Sequence, residues 1–152
     1  MKEEKVSRLD EVDEKILSIL QKDARASFRE ISKKLGISAS TAFLRTKKLE
    51  KAGVIKKFAI VLDMEKMGWD MTVAISIKVK GGFLEEVEEK LAKSENVMAV
   101  YDITGDWDVL AIAKFKGREE LNGFVKRLLT TPHVEHTCTY TVLNIVKEMI
   151  VN

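Results

Sequence analysis

A chain of 152 residues that is 45% hydrophobic and 33% charged can bury a core, which excludes a disordered polypeptide and leaves room for one ordinary domain or two small ones. Its net charge of +2 conceals an asymmetry: residues 1–60 carry 15 basic and 9 acidic side chains, residues 61–152 carry 11 and 15. A basic front and an acidic back suggest that one part meets a phosphate backbone and the other does something else. Cys138 is the only cysteine, so an intrachain disulfide is excluded and a reducing cytoplasm is the expected location. No stretch has the apolar core of a signal peptide or the roughly 18 apolar residues of a membrane span, so no membrane role is expected. Lys and Glu dominate the charged set and Gln21 is the sole glutamine, a composition that points weakly to a thermophilic source.

Residues 1–8 are polar and expected to fray. Asp10 then caps an expected helix to about Lys22, with Val12, Ile16, Ile19 and Leu20 as its apolar stripe. Ser27 and Glu30 have capping-box spacing, Phe28, Ile31 and Leu35 recur at helical intervals, and Gly36 supplies a left-handed stop. Ser38 is placed to cap a third helix with Ala42, Thr46 and Leu49 inward and Ser40, Thr41, Leu44, Arg45, Lys47 and Lys48 elsewhere. Two short helices joined by a tight Gly-containing turn, the second with a cationic outer side, form the helix-turn-helix pattern. From 39 to 57 there are six Lys or Arg against Glu50 alone, which fits a polyanion better than a merely solvated face. Ser38, Ser40, Thr41, Arg45, Lys47 and Lys48 are therefore the candidate contacts to double-stranded DNA. Ser40, Thr41 and Arg45 are expected near base edges, and Lys47 and Lys48 at phosphates.

After Gly53 the run VIKKFAIVLD predicts a strand able to serve as a wing, a linker or an edge for a partner chain. MTVAISIKVK alternates as a strand covered on one face does, and FLEEVEEKLAK follows as a helix. Residues 97–104 and 107–115 read as two strands joined by little more than Gly105 and Asp106, a hairpin signal. A helix is predicted over Arg118–Leu129, and the run from Val134 to Val151 as one long strand. The order strand, helix, strand, strand, helix, strand is that of a ferredoxin-like sandwich, with helices on one sheet face and the other left for a partner. The expected fold is therefore α+β. A winged or helix-turn-helix three-helix domain spans 1–53, a linker strand and hinge 54–69, and a ferredoxin-like βαββαβ domain 70–152.

Six segments, LDEVDEKIL, DARASFREISKKLGIS, RTKKLEKAGVI, LDMEKMG, TGDWDVL and VEHTCTYTVLNIVK, resemble the Lrp/AsnC family of bacterial and archaeal transcription regulators. The resemblance implies a sequence-specific DNA-binding regulator modulated by an amino acid or related metabolite held between subunits, in homodimers assembling to tetramers or octamers. It implies effector-binding positions at Gly105, Asp106, Trp107, Asp108, Thr137 and Thr139. No cofactor, metal or catalytic residue is expected, because Asp102, Asp106 and Asp108 have no partner motif for acid catalysis or metal binding, and an archaeal or thermophilic source fits the composition. Trp107 stands where the family usually has Tyr, Thr46 where it has an aliphatic residue, and Lys57 often where it has Gly. On the residues alone, Gly105 to Asp108 serve equally well as a turn chosen for backbone geometry. A second class of function also fits: a metabolite-binding ferredoxin-like protein, or an enzyme, with a basic docking or RNA-binding domain. His133 and His136 lack metal-site spacing on a strand, Cys138 reads as a small buried residue, and Met64, Met67 and Met71 as gap-filling core.

Overall fold

The computed structural model describes residues 9–148, so the expectations for residues 1–8 and for 149–151 fall outside the described residues. The chain divides after Ile60 into two compact units.

The first unit is three helices, and each start is written locally in the sequence. Helix α1 (Glu11–Lys22) begins at a capping box in which the Asp13 N–H donates to the Asp10 carboxylate at 2.9 Å and the Asp10 N–H to Asp13 at 3.4 Å. Helix α2 (Phe28–Leu35) has the same device, with the Ser27 N–H donating to Glu30 at 2.7 Å. Gly36 ends it at φ +67°, the left-handed region a side chain would strain. Helix α3 (Ala39–Lys51) starts from Ser38, whose hydroxyl accepts the Thr41 N–H at 3.0 Å. Ile16, Leu20, Ile31, Ala42 and Leu49 form the core between the helices. Thr46 joins them only 1% exposed, its hydroxyl donating to the Ala42 carbonyl at 2.8 Å. Phe28 and Phe43 meet edge to face across α2 and α3, with centroids 5.3 Å apart.

The expected strand after Gly53 does not form among the described residues. Residues 56–63 run without a ladder: strand composition alone does not make a strand, which exists only against a hydrogen-bonding neighbour. Phe58, Ile60, Val61 and Leu62 are left exposed.

The second unit is a four-stranded antiparallel sheet of order β2-β3-β1-β4. Its strands are β1 (Met71–Val79), β2 (Val97–Asp102), β3 (Val109–Phe115) and β4 (Val134–Thr141), with α4 (Leu84–Ala92) after β1 and α5 (Arg118–Leu129) after β3. Val73, Ile75 and Ile77 stand opposite Ala113, Ala111 and Val109 and, with Val79 opposite Val134, make one apolar face on which Val87, Leu91, Phe124 and Leu128 of the helices pack. The opposite face carries Ala74, Leu110, Ile112, Tyr101, Cys138 and Tyr140 without a helix over it, and Tyr101 and Tyr140 are 51% and 52% exposed. Cys138 is thus half-buried on the open face rather than fully enclosed. Met67 is exposed, not core. Phe83 is at the surface, its ring stacked on His133 at 3.6 Å between centroids.

Two strand expectations are corrected. The last strand ends at Thr141, because β1 begins at Met71 and Val142, whose N–H donates to the Thr72 carbonyl, is the last residue it can hold. The tail then carries Glu148 to the buried Lys114 of β3. The connection between β2 and β3 is six residues, Ile103 to Asp108, not a two-residue turn. It is closed by the Ile103 N–H donating to the Asp108 carbonyl at 2.9 Å.

Candidate nucleic-acid interface and effector site

The buried side of α3, Ala42, Thr46 and Leu49, fixes which residues face outward. At 3.6 residues per turn the opposite side carries Ser40, Leu44, Lys47, Lys48 and Lys51, all exposed. At the start of the helix the Ser38 hydroxyl lies 2.8 Å from that of Ser40 and 2.7 Å from that of Thr41. Three hydroxyls thus ring a helix N-terminus, whose free N–H groups and dipole favour a phosphate. Ser38 is committed as the cap and Thr41 is half-buried, so Ser40 is the freest of the three. Lys47 pairs with Glu50 at 2.7 Å on the surface, a bond weak enough for a phosphate to replace. Leu44 is 64% exposed amid these polar groups. It was visible in the sequence as outward-pointing, but a leucine in a cationic row reads as noise until its exposure is known.

Arg45 departs from the expected outward position. It lies three residues after Ala42 and four before Leu49, on the inner edge of the helix. Its Nη1 donates to Asp10 Oδ2 at 2.6 Å and to Asp13 Oδ1 at 2.8 Å, across α1. The Arg45 guanidinium, followed by the Asp13 N–H, holds the Asp10 carboxyl below its usual range.

In the second unit Asp108 is likewise bound within the chain. Its carboxylate accepts the Val79 N–H at 2.8 Å and the Lys78 ammonium at 2.9 Å. Those two donors, the Val79 amide foremost, depress its pKa. Its own N–H donates to the Ile77 carbonyl at 3.1 Å. Asp108 therefore fixes the 103–108 loop to the end of β1, which explains the length of that loop. Gly105 (φ +120°) and Asp106 project into solvent, and Trp107 is half-buried. Thr137 and Thr139 of β4 stand opposite Ile77 and Ile75, and so share the helix-covered face. The structure thus brings Thr137 and the loop to the same end of β1, one strand away on either side. Thr139 lies further along, with Thr141, Arg118, Glu119, Leu121, Asn122 and Val125 around a groove of about 550 Å³. Among the described residues no group of three or more His, Cys, Asp and Glu side chains has the arrangement to hold a metal.

Comparison with known proteins covers both units. Residues 9–56 match a family described as winged helix-turn-helix DNA-binding, and residues 72–151 one described as the Lrp/AsnC ligand binding domain. An HTH-type transcriptional regulator of Pyrococcus abyssi is 49% identical over 140 residues, covering 92% of this chain and 95% of that protein. The HTH-type transcriptional regulator FL11 of Pyrococcus horikoshii is 45% identical over 140 residues, covering 92% and 93%. A transcriptional regulator of Neisseria meningitidis, solved as a complex with L-Met, superposes with a TM-score of 0.86 at 28% identity over 92% of this chain and 93% of its own. Escherichia coli AsnC shares the fold at a TM-score of 0.87 and 24% identity, over 94% and 97%.

Proposed function

We propose how this chain, which belongs to the Lrp/AsnC family of transcription regulators, divides its work: α3 reads a DNA half-site, the sheet pairs two copies, and a small amino-acid-like effector bound between subunits alters the fit. The carrying observation is the outer side of α3, where Ser40, Leu44, Lys47 and Lys48 stand exposed opposite a fully buried side. Lys47 and Lys48 neutralise phosphates, Ser40 and Thr41 lie at the helix start where base edges and phosphates are both in reach, and Leu44 offers apolar contact to a thymine methyl.

Two copies are needed because one helix reads only a few base pairs and the open face of the sheet leaves Tyr101, Leu110, Ile112 and Tyr140 without cover. Residues 54–69 act as the linker, and the exposed Phe58, Ile60, Val61 and Leu62 fit an extended segment that gains its ladder from a second copy. Dimers then assemble to tetramers or octamers. The effector class follows from donors and acceptors. Asp106 and the carbonyls of the 103–108 loop suit an ammonium, while Thr137, Thr139 and backbone N–H groups suit a carboxylate. Asp108 shapes that loop, and Trp107 sets the size of the side chain it admits. The L-Met in the Neisseria meningitidis relative supports an amino acid as the class.

The test is one anisotropy series with the full chain and a duplex it selects from a random library. The expected results are preference for that duplex over excess competitor, a penalty for replacing dT by dU in the half-site that vanishes in Leu44→Ala, and a shift in Kd with at least one of the twenty amino acids. Linkage requires the duplex to change that amino acid's affinity by the same factor. Binding indifferent to sequence, or to all twenty, would refute the corresponding half of the proposal.

A further inference from the structure

We infer that Arg45 is a positioning residue that ties α3 to the start of α1, setting the angle at which α3 meets DNA without touching DNA itself. This rests on the reading of α3 as the DNA-contacting helix. One guanidinium nitrogen reaches two carboxylates, at 2.6 Å and 2.8 Å, from residues 35 and 32 positions earlier in the chain. Those same carboxylates form the capping box of α1, so three residues make one network joining two helices.

Its geometry argues against release to a phosphate. The Asp13 side chain is only 9% exposed, and the one basic group paired with it among the described residues is Arg45. Withdrawing that cation would strand a nearly buried carboxylate, which is far costlier than losing a surface ion pair. Arg45 also sits on the core edge of α3, whereas Ser40, Leu44, Lys47 and Lys48 occupy the other side. Both ends of the network show the coupling: the Arg45 pKa is raised first by Asp10 and then by Asp13, while Asp10 is lowered first by Arg45. The apolar contacts of α3, through Ala42, Leu49 and the Phe28–Phe43 pair, are non-directional and restrain its roll less than a hydrogen-bonded ion pair does. The polar tie at the edge fixes the roll.

The experiment uses the full chain, the selected duplex and a scrambled duplex of equal length, with every variant assayed well below its own Tm. Arg45→Gln and Asp13→Asn should each bind the selected duplex roughly tenfold more weakly, and the double variant should lose about what either loses alone, as members of one network do. The slope of log Kd against log[KCl] should stay at the wild-type value in all three. Arg45→Gln lowering that slope by about 0.9, the mark of one lost phosphate contact, overturns the inference. So does tighter binding by Asp13→Asn, which would follow from freeing a guanidinium and deleting an acid near DNA. Wild-type affinity in both folded variants overturns it as well, since a merely structural tie would lower Tm and nothing else. Should either variant fail to fold, Asp10→Asn, whose carboxylate is half exposed, decides by the same criteria. Lys48→Ala run in parallel should lower the slope by about 0.9. An unchanged slope there would sink α3 as the DNA-contacting helix, a failure separate from that of Arg45.

Discussion

The two units solve the same problem of burial at different scales. Among the described residues the helical unit encloses five buried hydrophobic side chains in its core, and the sheet unit thirteen. The smaller core leaves less margin, so polar ties such as the Asp10, Asp13 and Arg45 network carry part of the task of holding its helices in register. The larger core can leave much of one sheet face without a helix over it and still hold its strands. The contrast is between a helical unit whose helix contacts close within one chain and a sheet unit that leaves large side chains exposed on a face without a helix over it.

The most disruptive way to break that contrast is to remove Ile31, which is fully buried in the smaller core. Ile31→Ala should cost about 2–5 kcal/mol, comparable with the whole stability of a domain of this size. Calorimetry should show the transition of the helical unit lost or moved far down in temperature, DNA binding lost with it, and the transition of the sheet unit nearly unmoved. One shared transition that shifts as a whole would show that the two cores do not melt separately.

A smaller effect is expected at Asp108. Its pKa is depressed in the folded state, so its contribution is fully present above the unfolded value, about 3.9, and is lost as pH falls through the folded value. Asp108→Asn should therefore flatten the acid side of a Tm-against-pH curve while changing its neutral plateau much less than Ile31→Ala does. It should not abolish the acid limb, since Asp63 and Glu120 in the same unit are depressed as well. An acid limb identical to that of the wild type would show that the tie to Lys78 and Val79 contributes nothing.

What the sequence revealed and what it withheld divide by range of interaction. Helix starts were legible at Asp10, Ser27 and Ser38 because a cap and its partner lie three residues apart. The sandwich was legible because alternation in β1 and helical periodicity in α4 and α5 repeat within each element. The ion pairs of Arg45 were not, since its partners lie 32 and 35 residues away. Asp108 was hidden for the same reason: its partners are on β1, and only they explain a six-residue loop where Gly105 and Asp106 suggested a tight turn. Lys114 shows the converse, a charge that pattern alone would put in water but that lies buried against Glu148. The run after Gly53 has strand composition, but composition cannot supply the neighbour that a ladder needs.

The smallest effect sharpens the contrast from inside the helical core. The Thr46 hydroxyl donates to the Ala42 carbonyl, which already accepts the Thr46 N–H along α3. That extra bond contributes about 0.5–1.5 kcal/mol. Burying the hydroxyl costs about 1–3 kcal/mol. Thr46→Val removes both and fills the site with a methyl of similar shape, so the two changes partly cancel. Stability should move by about 1 kcal/mol, toward greater stability. Denaturant unfolding of the helical unit measures this directly. A loss above about 2 kcal/mol would mean that the hydroxyl helps hold α3 in place, leaving the Arg45 network as only part of what fixes the reading helix.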